Sequence, residues 1–110
     1  MISISIVLIT KDNNKELGLT INSLEQQEIS KNCEILIING GRKISFKTLS
    51  IIQKKYKLKI IEDKGKGIYP AMNIAIKFAK GNHLLFLNAG DKISDTNVFK
   101  NILSLNLKKN

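Results

Sequence analysis

Apolar positions along this chain follow two rhythms, one of period two or none and one of helical period. Residues 3–10, SISIVLIT, alternate at first and then run continuously apolar, the pattern of a strand buried on both faces. The polar Lys11-Asp12-Asn13-Asn14 follows. Either asparagine can cap a helix that buries Leu17, Ile21 and Leu24 at helical spacing, with Gly18 a weak interior position. A second strand over residues 34–38, EILII, ends in Asn39-Gly40-Gly41. A weaker helix is predicted over residues 46–56 from Leu49, Ile52 and Tyr56. The third strand, residues 58–61, ends in Glu62-Asp63 and opens onto Lys64-Gly65-Lys66-Gly67.

The third helix begins near Pro70, which suits a first turn because its missing N–H has no intrahelical partner there, and Gly81 suits the stop. Ala71, Met72, Ile74, Ala75, Ile76, Phe78 and Ala79 cover most of its surface, which predicts a largely buried helix with Asn73 in its first turn. A fourth strand over residues 83–87 breaks off in Asn88-Ala89-Gly90-Asp91, and a last helix is predicted around residues 95–105.

Strands alternating with helices imply an α/β fold, a Rossmann-like parallel sheet with flanking helices, because parallel neighbours need crossover connections. In open sheets of this kind ligands bind beyond the carboxyl ends of the strands, where strand order reverses. Thr10 and Asp12, Asn39, Asp63, and Asn88 with Asp91 all fall just after strands, so they are the candidate ligand site.

Composition narrows the classes. The 110 residues, 43% of them hydrophobic, fit a single domain over 1–110. No apolar run approaches the ~18 residues of a membrane span, and the N-terminus lacks the features of a secretory signal, so a cytoplasmic protein is expected. One cysteine and one histidine leave no material for a zinc site or a Cys/His nucleophilic pair. The net charge of +9 is almost all lysine, scattered along the chain, and Arg42 is the only arginine. With no tryptophan and few aromatic residues, this is the composition of a solvated basic surface and not of a nucleic-acid reader. The excess lysine can attract a phosphorylated ligand or an anionic membrane face. Neither a G-x-G-x-x-G after the first strand nor a Walker loop is present.

The segments ISIVLITKDN, TINSLEQQEI and EILIING, and above all GIYPAMNIAIKFAKGNHLLFLNAGD, resemble the nucleotide-sugar-binding N-terminal half of family-2 glycosyltransferases of the GT-A fold. The likeness is to the bacterial subgroup that builds surface polysaccharides, and it runs through the whole chain in order. It implies inverting, metal-assisted transfer from a nucleotide diphosphate sugar to a polysaccharide or lipid-linked acceptor. By resemblance, Thr10 lines the base and ribose pocket, and Asn39 stands where an aspartate usually contacts the nucleotide. Asn88 and Asp91 stand at the metal motif with Gly90 in place of its central aspartate, which makes Asp91 the expected ligand of Mg²⁺ or Mn²⁺. Lys66 or Lys92 is a candidate point charge beside the cation.

Pro70 replaces an aspartate usual in the family motif, Gly65 stands where an acid or asparagine is common, and Arg42-Lys43-Ile44-Ser45 replaces a small polar run. Family members are about twice this long, and their second half supplies the acceptor site and general base, for which no residue here is a match. Three readings follow. The first is a donor-binding domain, peripheral to the inner face of the membrane. The second is an inactive fragment, or one completed by a second chain. The third, resting on charge alone, is a nucleic-acid module.

Overall fold

A computed structural model describes residues 2–27, 32–88 and 90. Strands and helices alternate in the order β1 (Ile4–Thr10), α1 (Asn14–Glu25), β2 (Cys33–Asn39), α2 (Phe46–Gln53), β3 (Lys57–Glu62), α3 (Ile68–Phe78) and β4 (His83–Asn88). The helix expected around residues 95–105 lies outside the described residues.

The four strands form one parallel sheet in the order β3-β2-β1-β4. β1 and β2 are central, and their side chains are buried almost without exception, as their unbroken apolar runs require. Alternation along them divides the core in two. Ile4, Ile6 and Leu8 of β1 and Ile35 and Ile37 of β2 face α1 and α2, where they meet Leu17, Ile21, Leu24, Leu49 and Ile52. Val7, Leu36 and Ile38 point the other way and receive Ala71 and Ala75 of α3. Each fully buried aliphatic side chain contributes about 1.5–3 kcal/mol, so the α1/α2 side holds most of the hydrophobic stabilisation.

Two elements depart from the sequence expectation. α3 starts at Ile68, which makes Pro70 its third residue and moves Asn73 into the second turn, exposed to solvent. Its burial is much less than its composition suggests: only Ala71 and Ala75 are buried, while Tyr69 is 82% exposed and Ile76 58%. Among the described residues α3 is the one helix on this side of the sheet, and it buries Ala71 and Ala75 fully and Ile74 and Ala79 in part against the strands. The helix ends with Ala79 in extended conformation, before Gly81 is reached. Gly81 instead crosses β1, where its N–H donates to Ser5 Oγ at 2.8 Å and a Cβ would stand 2.6 Å from the Ser5 nitrogen.

α2 stops at Gln53, short of Tyr56. The turn that follows closes the end of α1. Tyr56 Oη donates to Leu24 O at 2.7 Å and Lys55 Nζ to Glu25 O at 2.6 Å, and Lys55 also reaches Gln27 O. The last carbonyls of α1, which have no partner inside the helix, are satisfied this way.

Candidate functional site

Strand order runs from β1 outward to β2 and β3, then returns across β1 to β4. The reversal therefore lies at the carboxyl ends of β1 and β4, which is where a crevice opens in an open parallel sheet. A cavity of about 370 Å³ occupies this place. Ile9 and Ile38 supply apolar surface from β1 and β2, and Ile68 adds to it from the start of α3. Thr10, Asn13, Asp63 and Asn88 supply hydroxyl, amide and carboxylate groups, and Lys11 brings a positive charge.

The register explains the convergence. Thr10 pairs with Asn39, Asn39 with Glu62, and Ile9 with Asn88, so the strand ends finish level with one another. Two backbone bonds continue the alignment beyond the strands, from Gly40 N to Thr10 O at 2.9 Å and from Asp63 N to Asn39 O at 3.0 Å. The β2 and β3 loops then touch. A Cβ on Gly40 would fall 2.5 Å from the Gly65 Cα, and one on Gly65 would fall 2.5 Å from the Gly40 carbonyl oxygen. Gly65 also has φ +65°, so the apposition admits no side chain on either residue. Asp63 Oδ1 accepts from Gly65 N at 3.0 Å, which fixes the carboxylate at the cavity wall.

Of the residues expected from the sequence, Thr10, Asp63 and Asn88 are brought together in the cavity lining. Asp12, Asn39, Lys66 and Asn73 are outside that lining. Asn39 is 1% exposed; its Nδ2 donates to Arg42 O at 2.9 Å and Glu62 Oε1 at 3.0 Å, and its Oδ1 accepts from Gly41 N at 3.1 Å. Its amide holds the β2 loop. Asp12, at φ 58°, accepts from Arg42 N at 2.6 Å and so clamps the β1 loop to the same turn. Lys66 and Asn73 are exposed. Asp91 and Lys92 lie outside the described residues.

Three participants were not singled out in the sequence as site residues. Asn13, expected only as a helix cap, occupies the N-cap position of α1 without a side-chain cap bond and lines the cavity. Lys11 lines it as well, and its position directly after β1 was the available signal. Thr20 is fully buried in α1; its Oγ1 accepts from Gly90 N at 2.9 Å and donates to Asn88 O at 3.5 Å. It ties the turn after β4 to α1, a role that helical periodicity does not reveal.

Among the described residues no group of three or more His, Cys, Asp or Glu side chains is placed to hold a metal ion. The polar donors that line the cavity are nonetheless oxygen-rich, from hydroxyl, amide and carboxylate, with no thiol or imidazole. That set suits a hard divalent cation shared with a phosphate and not a soft one.

A parallel α/β domain with its cavity at the strand-order reversal is a nucleotide-binding type of architecture, and the comparisons make the class specific. The model of the family described as glycosyl transferase family 2 matches residues 5–104, and the chain belongs to that family. Its fold is that of GT-A structures such as S. aureus TarS 1-349, with a TM-score of 0.80 and 24% identity over 97% of this chain and 33% of that one. The TarS 1-349 complex with UDP aligns with a TM-score of 0.82 at 21% identity, covering 97% of this chain and 32% of that chain. The mannosyltransferase PcManGT from Pyrobaculum calidifontis, in complex with GDP-Man and Mn²⁺, aligns at 0.73 and 14% identity over 91% of this chain and 31% of its own. The chain thus spans about a third of the length of these structures. No curated protein sequence matches it.

Proposed function

We propose that this chain binds the nucleotide diphosphate sugar donor of an inverting glycosyl transfer in polysaccharide biosynthesis, with a lipid-linked or polysaccharide acceptor. The observation that carries the reading is the cavity at the β1/β4 reversal, where Thr10, Asp63 and Asn88 converge over an apolar floor. A flat base can lie on Ile9 and Ile38, while the hydroxyl and carboxylate engage polar edges of base and ribose. The diphosphate then extends toward the end of β4. A Mg²⁺ or Mn²⁺ ion fits the oxygen donors there; Asp91 with Asn88 would hold it, and bound, it supplies positive charge to a departing diphosphate. The acceptor site and the base that deprotonates the acceptor hydroxyl belong to a further part of the protein or to a second chain. A cytoplasmic location is part of this proposal.

Solved relatives carrying UDP or GDP-Man support a nucleotide sugar as the ligand class. Calorimetric titration of the purified chain with UDP and GDP, each with Mn²⁺ and again with excess EDTA, tests the reading. Saturable, metal-dependent binding is expected, weakened at least about tenfold, some 1.4 kcal/mol, by Asp63→Asn or Asp91→Ala. Absence of binding by a folded chain would mean a glycosyltransferase-like fragment without donor chemistry.

A further inference from the structure

A second cavity opens at the other end of the sheet, where the strands begin. Its volume is about 200 Å³, and it is lined by Ile2 before β1, Glu34 of β2, Lys57 and Lys59 of β3, and Phe78 and Lys80 at the end of α3. Ile38, four residues beyond Glu34 along β2 and so about 13 Å away, lines the first cavity, and the two cavities share no residue.

Register gathers the charges. Glu34 stands opposite Lys57, and Lys59 stands opposite Leu36, which faces α3, so all three charged side chains lie on the α3 side of the sheet. Glu34 is 7% exposed, and one of its oxygens holds the fold: Oε2 accepts from Ser5 Oγ at 2.6 Å and from Lys80 N at 2.7 Å. Its Oε1 has no hydrogen-bond partner among the described residues, and the carboxylate forms no ion pair with the lysines around it. Lys59 Nζ instead stands 4.6 Å from the centre of the Phe78 ring. A buried carboxylate oxygen needs a donor, and the three ammonium groups need an anion. The fold supplies neither.

We propose that this second cavity binds a small sugar phosphate. Three ammonium groups against one carboxylate leave an excess of positive charge that suits a dianion, and a phosphate monoester carries about −1.5 to −2 at pH 7. The same lysines repel a divalent cation, so the donor that meets Glu34 Oε1 is a hydroxyl of the ligand. The apolar face of a sugar ring lies against Ile2 and Phe78, with its phosphate among Lys57, Lys59 and Lys80. The volume is below the roughly 300 Å³ at which pockets for drug-sized ligands begin, which suits a sugar phosphate better than a whole nucleotide sugar.

The test is calorimetric titration of the whole chain with ribose 5-phosphate, inorganic phosphate and ribose, each in excess EDTA. Saturable binding of ribose 5-phosphate is expected, at least about tenfold tighter than that of inorganic phosphate or ribose. Lys57→Gln, Lys59→Gln and Lys80→Gln should each weaken it about fivefold, whereas Lys15→Gln and Lys47→Gln, on α1 and α2, should leave it unchanged. Glu34→Gln keeps an acceptor for Ser5 and Lys80 N but turns an amide toward the ligand. It should remove most of the preference for ribose 5-phosphate over inorganic phosphate without changing the circular dichroism spectrum. The proposal is overturned if the folded chain does not bind ribose 5-phosphate, or if inorganic phosphate binds as tightly. It is also overturned if Asp63→Asn abolishes a binding that the lysine variants keep, because the ligand then occupies the first cavity. Neither metal nor nucleotide enters the measurement, so its failure and the failure of the donor reading are separable.

Discussion

Thr20 connects two parts of the molecule far apart in sequence through one buried hydroxyl. Gly90 N donates to it at 2.9 Å, and removing the hydroxyl removes this part-buried bond. Thr20→Val keeps the size of the side chain and removes the acceptor, so about 1–3 kcal/mol of stability should be lost, seen as a lower urea midpoint. Hydrogen exchange at Gly90 should accelerate in the variant, and Thr20→Ser should restore the protection. Equal exchange in the valine and serine variants would assign Thr20 to packing alone. Thr10 and Asn88 could be read from the sequence because each terminates an apolar run, and the strand end itself sets their position. Asn39 terminates one too, yet its amide turns inward to Arg42, Glu62 and Gly41, which no one-dimensional pattern encodes.

At the scale of elements, the strands were legible because β1 and β2 are buried on both faces and must be apolar throughout. α3 was misjudged for a related reason. Composition reports how apolar a helix is but not how many neighbours compete to cover it, and here only Ala71 and Ala75 of the helix are fully buried. The short reach of α2 follows from contacts across 30 or more residues, Lys55 with Glu25 and Tyr56 with Leu24, which lie beyond local propensity. α1 shows the opposite case, where local propensity is decisive. Gly18 lies within this helix, and a Cβ placed there would meet nothing within 4 Å. Gly18→Ala should therefore stabilise the protein by about 0.5–1 kcal/mol through the reduced freedom of the unfolded chain. A raised urea midpoint with an unchanged slope is the expected measurement. A lowered midpoint would mean that α1 packs more closely at Gly18 than this geometry allows.

The molecule as a whole combines a strongly basic surface with a core that seals one thiol and one phenol beneath α1 and α2. Burial pushes the Cys33 thiol up from 9.0 to about 11, and burial first, then the neighbouring Cys33 and Glu25, raises the Tyr56 phenol well above its ordinary 10.0. Between pH 9 and 11 the unfolded chain releases the thiol proton while the folded chain retains it. The unfolded state then binds fewer protons, so stability is full below pH 9 and falls as pH rises toward 11, by about 2–3 kcal/mol for the thiol. Tyr56 acts in the same direction at higher pH. Comparing the chain with Cys33→Ala isolates the thiol, since both proteins carry the same surface. Urea midpoints below pH 9 and near pH 11 should converge, the alanine variant starting less stable and losing less. Parallel losses would mean that water reaches Cys33 in the folded state, and that the α1/α2 side of the sheet is less tightly closed than its packing indicates.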